Sequence, residues 1–231
     1  MITIRKSEER GRTQINWLDG RHSFSFGNYH DRNHMGFGPL RVINEDWVKQ
    51  GEGFHPHPHR DMEIITYILE GALEHKDSMG NGSVIVPGDV QYMSAGTGVV
   101  HSEFNPHPDK PVHLMQIWIL PDKTGYAPGY QQENFMQSRK PGKLTLLVSK
   151  DGQDNSIRIH QDASLSVLDL DPGQNFDLPL TKGRSAWVQM ARGNAVLNNT
   201  PLKQGDGAAI EKEDALKFSA QEKSEILIFD L

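Results

Sequence analysis

The chain has 231 residues, a formal net charge of -6 with histidine neutral, and no cysteine. That length suits one large or two small domains. The negative balance gives no electrostatic basis for gripping a nucleic-acid backbone, and the missing thiols exclude a disulfide framework and a thiolate metal site. No apolar run approaches the roughly 18 residues of a membrane-spanning helix. Charges between Met1 and Arg10 stand where a secretory leader needs an apolar core. The expectation is a cytoplasmic protein that binds neither membrane nor nucleic acid.

Read in chain order, the segments are short and mostly extended. Ile2-Thr3-Ile4 alternates, and an Asp19-Gly20 turn precedes His22-Ser23-Phe24-Ser25-Phe26, which alternates and is expected to be a strand. Phe24 and Phe26 would share one face, either lining a pocket or packing in a core. His30 and His34 fall in a polar loop. Leu40 to Asn44 reads as a strand, and Met62 to Glu70 as one apolar on both faces and so covered on both sides. Ala72 to Asp77 returns after Gly71. Asn81-Gly82 marks a hairpin, and Pro87-Gly88-Asp89 a further turn. Val90 to Ser94 leads into Gly96-Thr97-Gly98, and Val112 to Leu120 closes the unit. Pro121 to Lys143 reads as a connector with a short helix over Gln131 to Arg139.

From Leu144 the pattern begins again. Trp187 to Gly193 echoes Ile65 to Gly71, and Gln204-Gly205-Asp206 echoes Pro87-Gly88-Asp89. Many short strands with frequent turn signals argue for an all-β protein. The expected division is residues 1-137 and 138-231, two β-sandwich or barrel (jelly-roll) domains in one chain.

Histidine is distributed unevenly: ten of the 11 lie between His22 and His113, and only His160 follows. Within Gly51 to Glu63 the chain reads Gly-Glu-Gly-Phe-His-Pro-His-Pro-His-Arg-Asp-Met-Glu, and Gly98 to Asn105 reads Gly-Val-Val-His-Ser-Glu-Phe-Asn. Side chains two apart on a strand share a face, so His57 with His59, and His101 with Glu103, would point to one side. Three imidazoles and a carboxylate suit a divalent transition metal and leave positions open for other ligands. By parity alone His55 and Glu63 also qualify. His75, between charged neighbours, and His107, between prolines, are expected at the surface. His113, Gln116 and Trp118 on the closing strand could reach the same cavity.

These two stretches resemble the cupin superfamily, whose first motif is a Gly, five residues, His-x-His, then Glu and Gly. Here that is Gly51, His57-Pro58-His59, Glu63 and Gly71, and the second motif is Gly98 to Asn105. The five-residue gap selects His57/His59 over His55/His57 and leaves His55 near the site or on the surface. His57-Pro58-His59-Arg60, Leu69-Glu70-Gly71, Met93-Ser94-Ala95-Gly96 and His101-Ser102-Glu103 are similar to the pirin branch. Two departures from the general pattern fit that branch: Ser94 stands where many cupins have proline, and two extra residues precede His101.

The resemblance implies a bicupin whose ligands are His57, His59, His101 and Glu103, with Glu63 beside them, orienting a ligand imidazole. It implies one divalent transition metal per chain, iron(II) first, with Cu, Ni, Mn, Co or Zn as alternatives. The implied activity is that of a quercetin 2,3-dioxygenase, taking an aromatic substrate and O2, opening the central flavonol ring and releasing carbon monoxide. Glu103 would be the base. The alternatives are an iron-binding, redox-sensitive regulator with a protein partner, and a metal-dependent isomerase or sugar-processing cupin. Counting along the repeat puts Pro179, Thr181, Phe218 and Ala220 where the four ligands stand, so the C-terminal domain is expected to be degenerate and metal-free.

Overall fold

The structure is a computed structural model that describes all residues, Met1–Leu231. The chain folds into two compact units, and each consists of two antiparallel sheets. The first unit comprises residues 11–136 together with 157–161, and the second holds residues 1–10, 137–156 and 162–231. The structure thus departs from contiguous domains at 1-137 and 138-231 in two places. The strand Ile2–Arg5 pairs antiparallel with Gly207–Ile210, and Ile2 and Ile4 pack on the second unit's core. Residues 157–161 return to the first unit and carry His160 with them. All 11 histidines therefore belong to the first unit.

In the first unit the larger sheet runs, in spatial order, Gly129–Asn134, Asp89–Ser94, Glu63–Glu70, Val112–Ile119, Leu40–Val48, Leu18–His22 and Gly11–Gln14. The smaller sheet runs Gly53–His59, Val99–Phe104, Leu73–Asp77 and Gly82–Ile85. Leu18, Val48, Ile68, Val112 and Leu114 from one sheet meet Leu73 and Ile85 from the other in a dry core. Each such side chain contributes about 1.5–3 kcal/mol on full burial. Glu63–Glu70 is buried on both faces except at its last residue, as its continuous apolar run implies.

Two local expectations fail. His22 ends its strand; Ser23 to Pro39 is irregular apart from single bridges at Phe26–Tyr29 and Phe37–Leu40. Ser25 ties that segment to itself: its hydroxyl donates to the Asp31 carbonyl at 2.9 Å and accepts the Asp31 amide at 2.8 Å. Alternation of small and aromatic residues thus mimicked a strand that local side-chain bonds dissolve. The helix expected over Gln131 to Arg139 is instead the strand Gly129–Asn134, in register with Asp89–Ser94. Edge pairing outweighs the weak helical signal there.

In the second unit, Ile2–Arg5, Gly207–Ile210, Ala186–Arg192, Ser224–Asp230, Ser164–Leu170 and Leu144–Ser149 lie side by side, over a second sheet of Asn175–Pro179, Ala215–Ala220, Ala195–Leu197 and Thr200–Leu202. The repeat seen in sequence is real in backbone. Gly88 and Gly205 both have positive φ, at 97° and 85°. Beside them the Asp89 and Asp206 carboxylates accept the amides of Val86 and Lys203.

Because Ile2 and Ile4 complete the second unit's core, the double substitution Ile2→Ala/Ile4→Ala should destabilise that unit by about 2 kcal/mol, the scale of partly buried large-to-small changes. Urea unfolding followed by Trp187 fluorescence measures it.

Candidate metal centre

The strand Gly53–His59 lies at the edge of the smaller sheet and pairs on one side only, with Val99–Phe104. Edge placement tolerates Pro56 and Pro58, which have no amide to offer a second neighbour. His57 lies opposite His101 and His59 opposite Val99, but Glu103 lies opposite Phe54. One residue, Ser102, faces two, so a β-bulge falls at His55–Pro56. The bulge breaks strict alternation: Phe54, His57 and His59 all line one cavity, whereas His55 is exposed, with its ring edge-on to Phe104.

Glycine makes one close approach and one sharp bend possible. A Cβ on Gly53 would lie 2.1 Å from the Glu103 carbonyl oxygen. The bend before His101 uses φ of 45° at Gly96 and 140° at Gly98, conformations that other residues rarely adopt. Asn105, the last residue of the second motif, serves the backbone: its side-chain amide donates to the Val48 and Lys110 carbonyls at 3.0 and 2.8 Å.

The imidazoles of His57, His59 and His101 converge. The Nε2 atoms of His57 and His101 are 3.1 Å apart, and each of the three rings offers a nitrogen within 4.8 Å of the others. His57 Nδ1 donates to the His55 carbonyl at 2.8 Å, which leaves Nε2 with its lone pair toward the cluster. Burial first, then the neighbouring His101 and His57, push His59 down to about 4. Burial, then His57 and His75, push His101 to about 3. Both rings are neutral at pH 7, the form that binds metal.

Glu103 is buried in the same cavity. Gln116 Nε2 donates to both its oxygens at 3.1 Å, and the Thr66 hydroxyl lies 3.4 Å from Glu103 Oε1 and from Gln116 Oε1. Phe26, Phe54, Ile64 and Trp118 supply the apolar wall, with Asn44 and Asp46 on its polar side. His59 meets the edge of Trp118, centroids 5.0 Å apart. Phe24 is buried and does not line the cavity.

Glu63 departs from its expected place. It is fully buried, but its partners are the hydroxyls of Tyr92 and Ser94 and the backbone N–H and ring of His160, with no ligand imidazole among them. His75 is the residue that sequence reasoning missed. Its polar neighbours Glu74 and Lys76 suggested the surface, yet it is fully buried, its Nδ1 3.4 Å from His101 Nδ1 and its Nε2 3.2 Å from Asp77 Oδ2. Alternation carried the signal: Leu73, His75 and Asp77 share one face of their strand. Burial alone would raise the Asp77 carboxyl; hydrogen bonds from Asn81, His75 and the Asn81 and Met79 amides outweigh it and hold it below the usual range.

This donor set fits a divalent first-row metal. Two neutral imidazole nitrogens at 3.1 Å repel unless a cation or a proton lies between them, and three imidazole nitrogens suit ions such as iron, nickel or copper. Glu103 lines the same cavity, but the groups its carboxylate clusters with are His101 and His75. The second unit offers no counterpart. The repeat count put Pro179 and Thr181 at the His57 and His59 positions, but the strand register corrects this. Phe176 lies opposite Phe218 as His57 lies opposite His101, and Leu178 lies opposite Leu216. All of these join the apolar core.

Comparison with known proteins agrees with the geometry. The family model named Pirin matches residues 3–119, and one named Quercetinase C-terminal cupin domain matches residues 146–231. The chain belongs to the pirin family. It is 46% identical to a quercetin 2,3-dioxygenase of Escherichia coli strain K12, covering 100% of this chain and 99% of that protein. A crystal structure of the E. coli bacterial pirin YhhW in complex with nickel(II) superimposes with a TM-score of 0.96 at 44% identity, covering 100% of this chain and 99% of that one. E. coli YhaK superimposes at 0.75 with 31% identity, covering 90% and 92%. Both halves of the chain are thus cupin domains, and the converging imidazoles together with the nickel-bound pirin support one transition-metal site. No helix is long and apolar enough to cross a membrane.

Elemental analysis should give one tightly held transition metal per chain, and none after His57→Ala/His59→Ala. A second metal surviving that change would place ligands in the second unit. The depressed histidines also set a pH dependence. The unfolded chain takes up protons at His59 and His101 near 6.5, while the folded chain resists until about 4 and 3. The metal-free protein should therefore be most stable above pH 6.5 and lose stability as pH falls from 6.5 toward 4. Thermal melts should show this slope, and His59→Gln/His101→Gln should flatten it.

Proposed function

We propose that the protein is a dioxygenase that opens the central ring of flavonols such as quercetin, with iron(II) as its resident metal and His57, His59, His101 and Glu103 as ligands. Full-length kinship to a quercetin 2,3-dioxygenase makes the chain an enzyme. The observation that carries the finer reading is Glu103, a carboxylate oriented by Gln116 at the inner end of an apolar cavity that also holds the three imidazoles. A bound divalent metal would supply Lewis acidity, and a redox-active one would support dioxygen chemistry.

The protein's own groups do the rest. Gln116 holds Glu103 so that one oxygen can take the proton of the flavonol 3-hydroxyl, general-base work worth about 10²–10⁴ in rate. Phe54, Ile64 and Trp118 exclude water and face an aromatic ring. The Trp118 indole N–H is buried without a protein partner, and a substrate oxygen would satisfy it. The cavity holds only about 50 Å³, whereas sites for drug-sized ligands span about 300–1,000 Å³. A flavonol therefore enters by displacing side chains, and Phe26 is the one borne on an irregular segment rather than on a sheet.

Oxygen uptake on adding quercetin to iron-loaded protein tests the activity, and the same assay with each metal in turn tests the iron assignment. Glu103→Gln should keep most of its metal and lose kcat by about 10²-fold or more; full turnover in that variant would remove Glu103 from the base role. Phe26→Ala should lower KM for quercetin if this ring must move aside. An unchanged KM would place the entrance elsewhere.

A further inference from the structure

The buried pair His75 and Asp77 belongs to no motif, yet it stands directly behind a metal-ligand residue. We propose that Asp77 and His75 form a relay that fixes the tautomer of His101 and so presents its Nε2 lone pair to the metal. This inference rests on the ligand assignment above.

The argument follows the protons. Asp77 Oδ1 accepts the backbone amides of Met79 and Asn81 at 2.9 and 3.0 Å. That orientation turns Oδ2 toward Asn81 Nδ2, at 2.9 Å, and toward His75 Nε2, at 3.2 Å. A carboxylate only accepts, so His75 carries its proton on Nε2, and its Nδ1 is left as an acceptor. His75 Nδ1 lies 3.4 Å from His101 Nδ1. Two nitrogens in that contact need one proton between them, and His101 is the ring that supplies it. His101 then has a bare Nε2, the atom that converges with His57 Nε2 at 3.1 Å. The His75 and Asp77 side chains are fully buried, so water does not compete for these bonds. His57 reaches the same state by a simpler route, through the His55 carbonyl. A ligand imidazole usually donates its second N–H to a carboxylate, carbonyl or water. Here an intervening imidazole carries the carboxylate's preference to the ligand.

Asp77→Asn separates this role from packing, because the side chains are nearly isosteric. The two backbone amides keep the Asn oxygen where Oδ1 stood, so its NH2 faces His75 Nε2. His75 must then accept there and carry its proton on Nδ1, and His101 is forced to place its own proton on Nε2, against the metal. His75→Asn offers an amide oxygen near the old Nδ1 and no longer depends on residue 77.

The test is the affinity of the full-length protein for Ni(II) and Co(II), read by chelator competition, together with 15N shifts of the histidine rings in Zn(II)-loaded protein. Asp77→Asn should weaken metal binding by about 10–100-fold. His75→Asn should bind within a few-fold of the parent, and His75→Asn/Asp77→Asn should regain what Asp77→Asn lost. In the parent, His75 should be protonated on Nε2 and bare on Nδ1. Parental affinity in Asp77→Asn, no recovery in the double variant, or a parent His75 protonated on Nδ1 would overturn the relay. The parent's shifts decide the matter even if a variant fails to fold. Loss of all metal binding by the parent would instead refute the ligand assignment, independently of Asp77.

Discussion

Bringing His57 and His101 to an Nε2–Nε2 distance of 3.1 Å inside a buried cavity is unfavourable in itself. The buried His101 ring loses its water, and with each ring's proton on Nδ1 two lone pairs would face one another. The fold accepts that cost because the strands carrying them are over-determined. Gly53–His59 and Val99–Phe104 are in register on both sides of a bulge, and the second strand is paired again with Leu73–Asp77. The result is that strand pairing alone sets where the imidazoles sit. Burial keeps the His59 and His101 rings neutral, and a divalent cation would convert the repulsion into coordination.

The second unit shows what the same architecture does without such a requirement. Its equivalent strands carry Phe176, Leu178 and Phe218 where the first unit has imidazoles, and these side chains join a continuous apolar core. Hydrophobic packing stabilises the sandwich directly, whereas the metal cavity of the first unit interrupts its core. Residues 1–10 belong to the second unit and residues 157–161 to the first, so neither unit is complete as a single stretch of chain.

Glu63 illustrates how a motif position can keep its burial and change its work. Its carboxylate is satisfied by Tyr92, Ser94 and His160. Burial, followed by the charge of Glu63, raises the Tyr92 hydroxyl, so that tyrosine stays protonated and donates. The residue thus pins the segment carrying His160, whose ring in turn stacks on Tyr126 with centroids 3.8 Å apart. It is Glu103, from the neighbouring sheet, that faces the cavity.

Spacing and residue chemistry in the sequence alone determined the all-β class, the duplicated plan and the four residues, His57, His59, His101 and Glu103, that the structure brings to one cavity. Those features depend on period-two alternation, glycine turns and donor atoms, all of which are local. Tertiary structure decided what depends on partners distant in the chain. The bulge that turns His55 outward exists only because Glu103 pairs with Phe54. His75 is buried because His101 and Tyr130 close over it, although its sequence neighbours are charged. The strand register replaces Pro179 and Thr181 by Phe176 and Leu178 as the counterparts of His57 and His59, since counting from a distant glycine cannot see an intervening change in loop length. The assignment of residues 1–10 to the second unit and of 157–161 to the first is likewise invisible to periodicity, because a strand such as Ile2–Arg5 carries no mark of the sheet it will join.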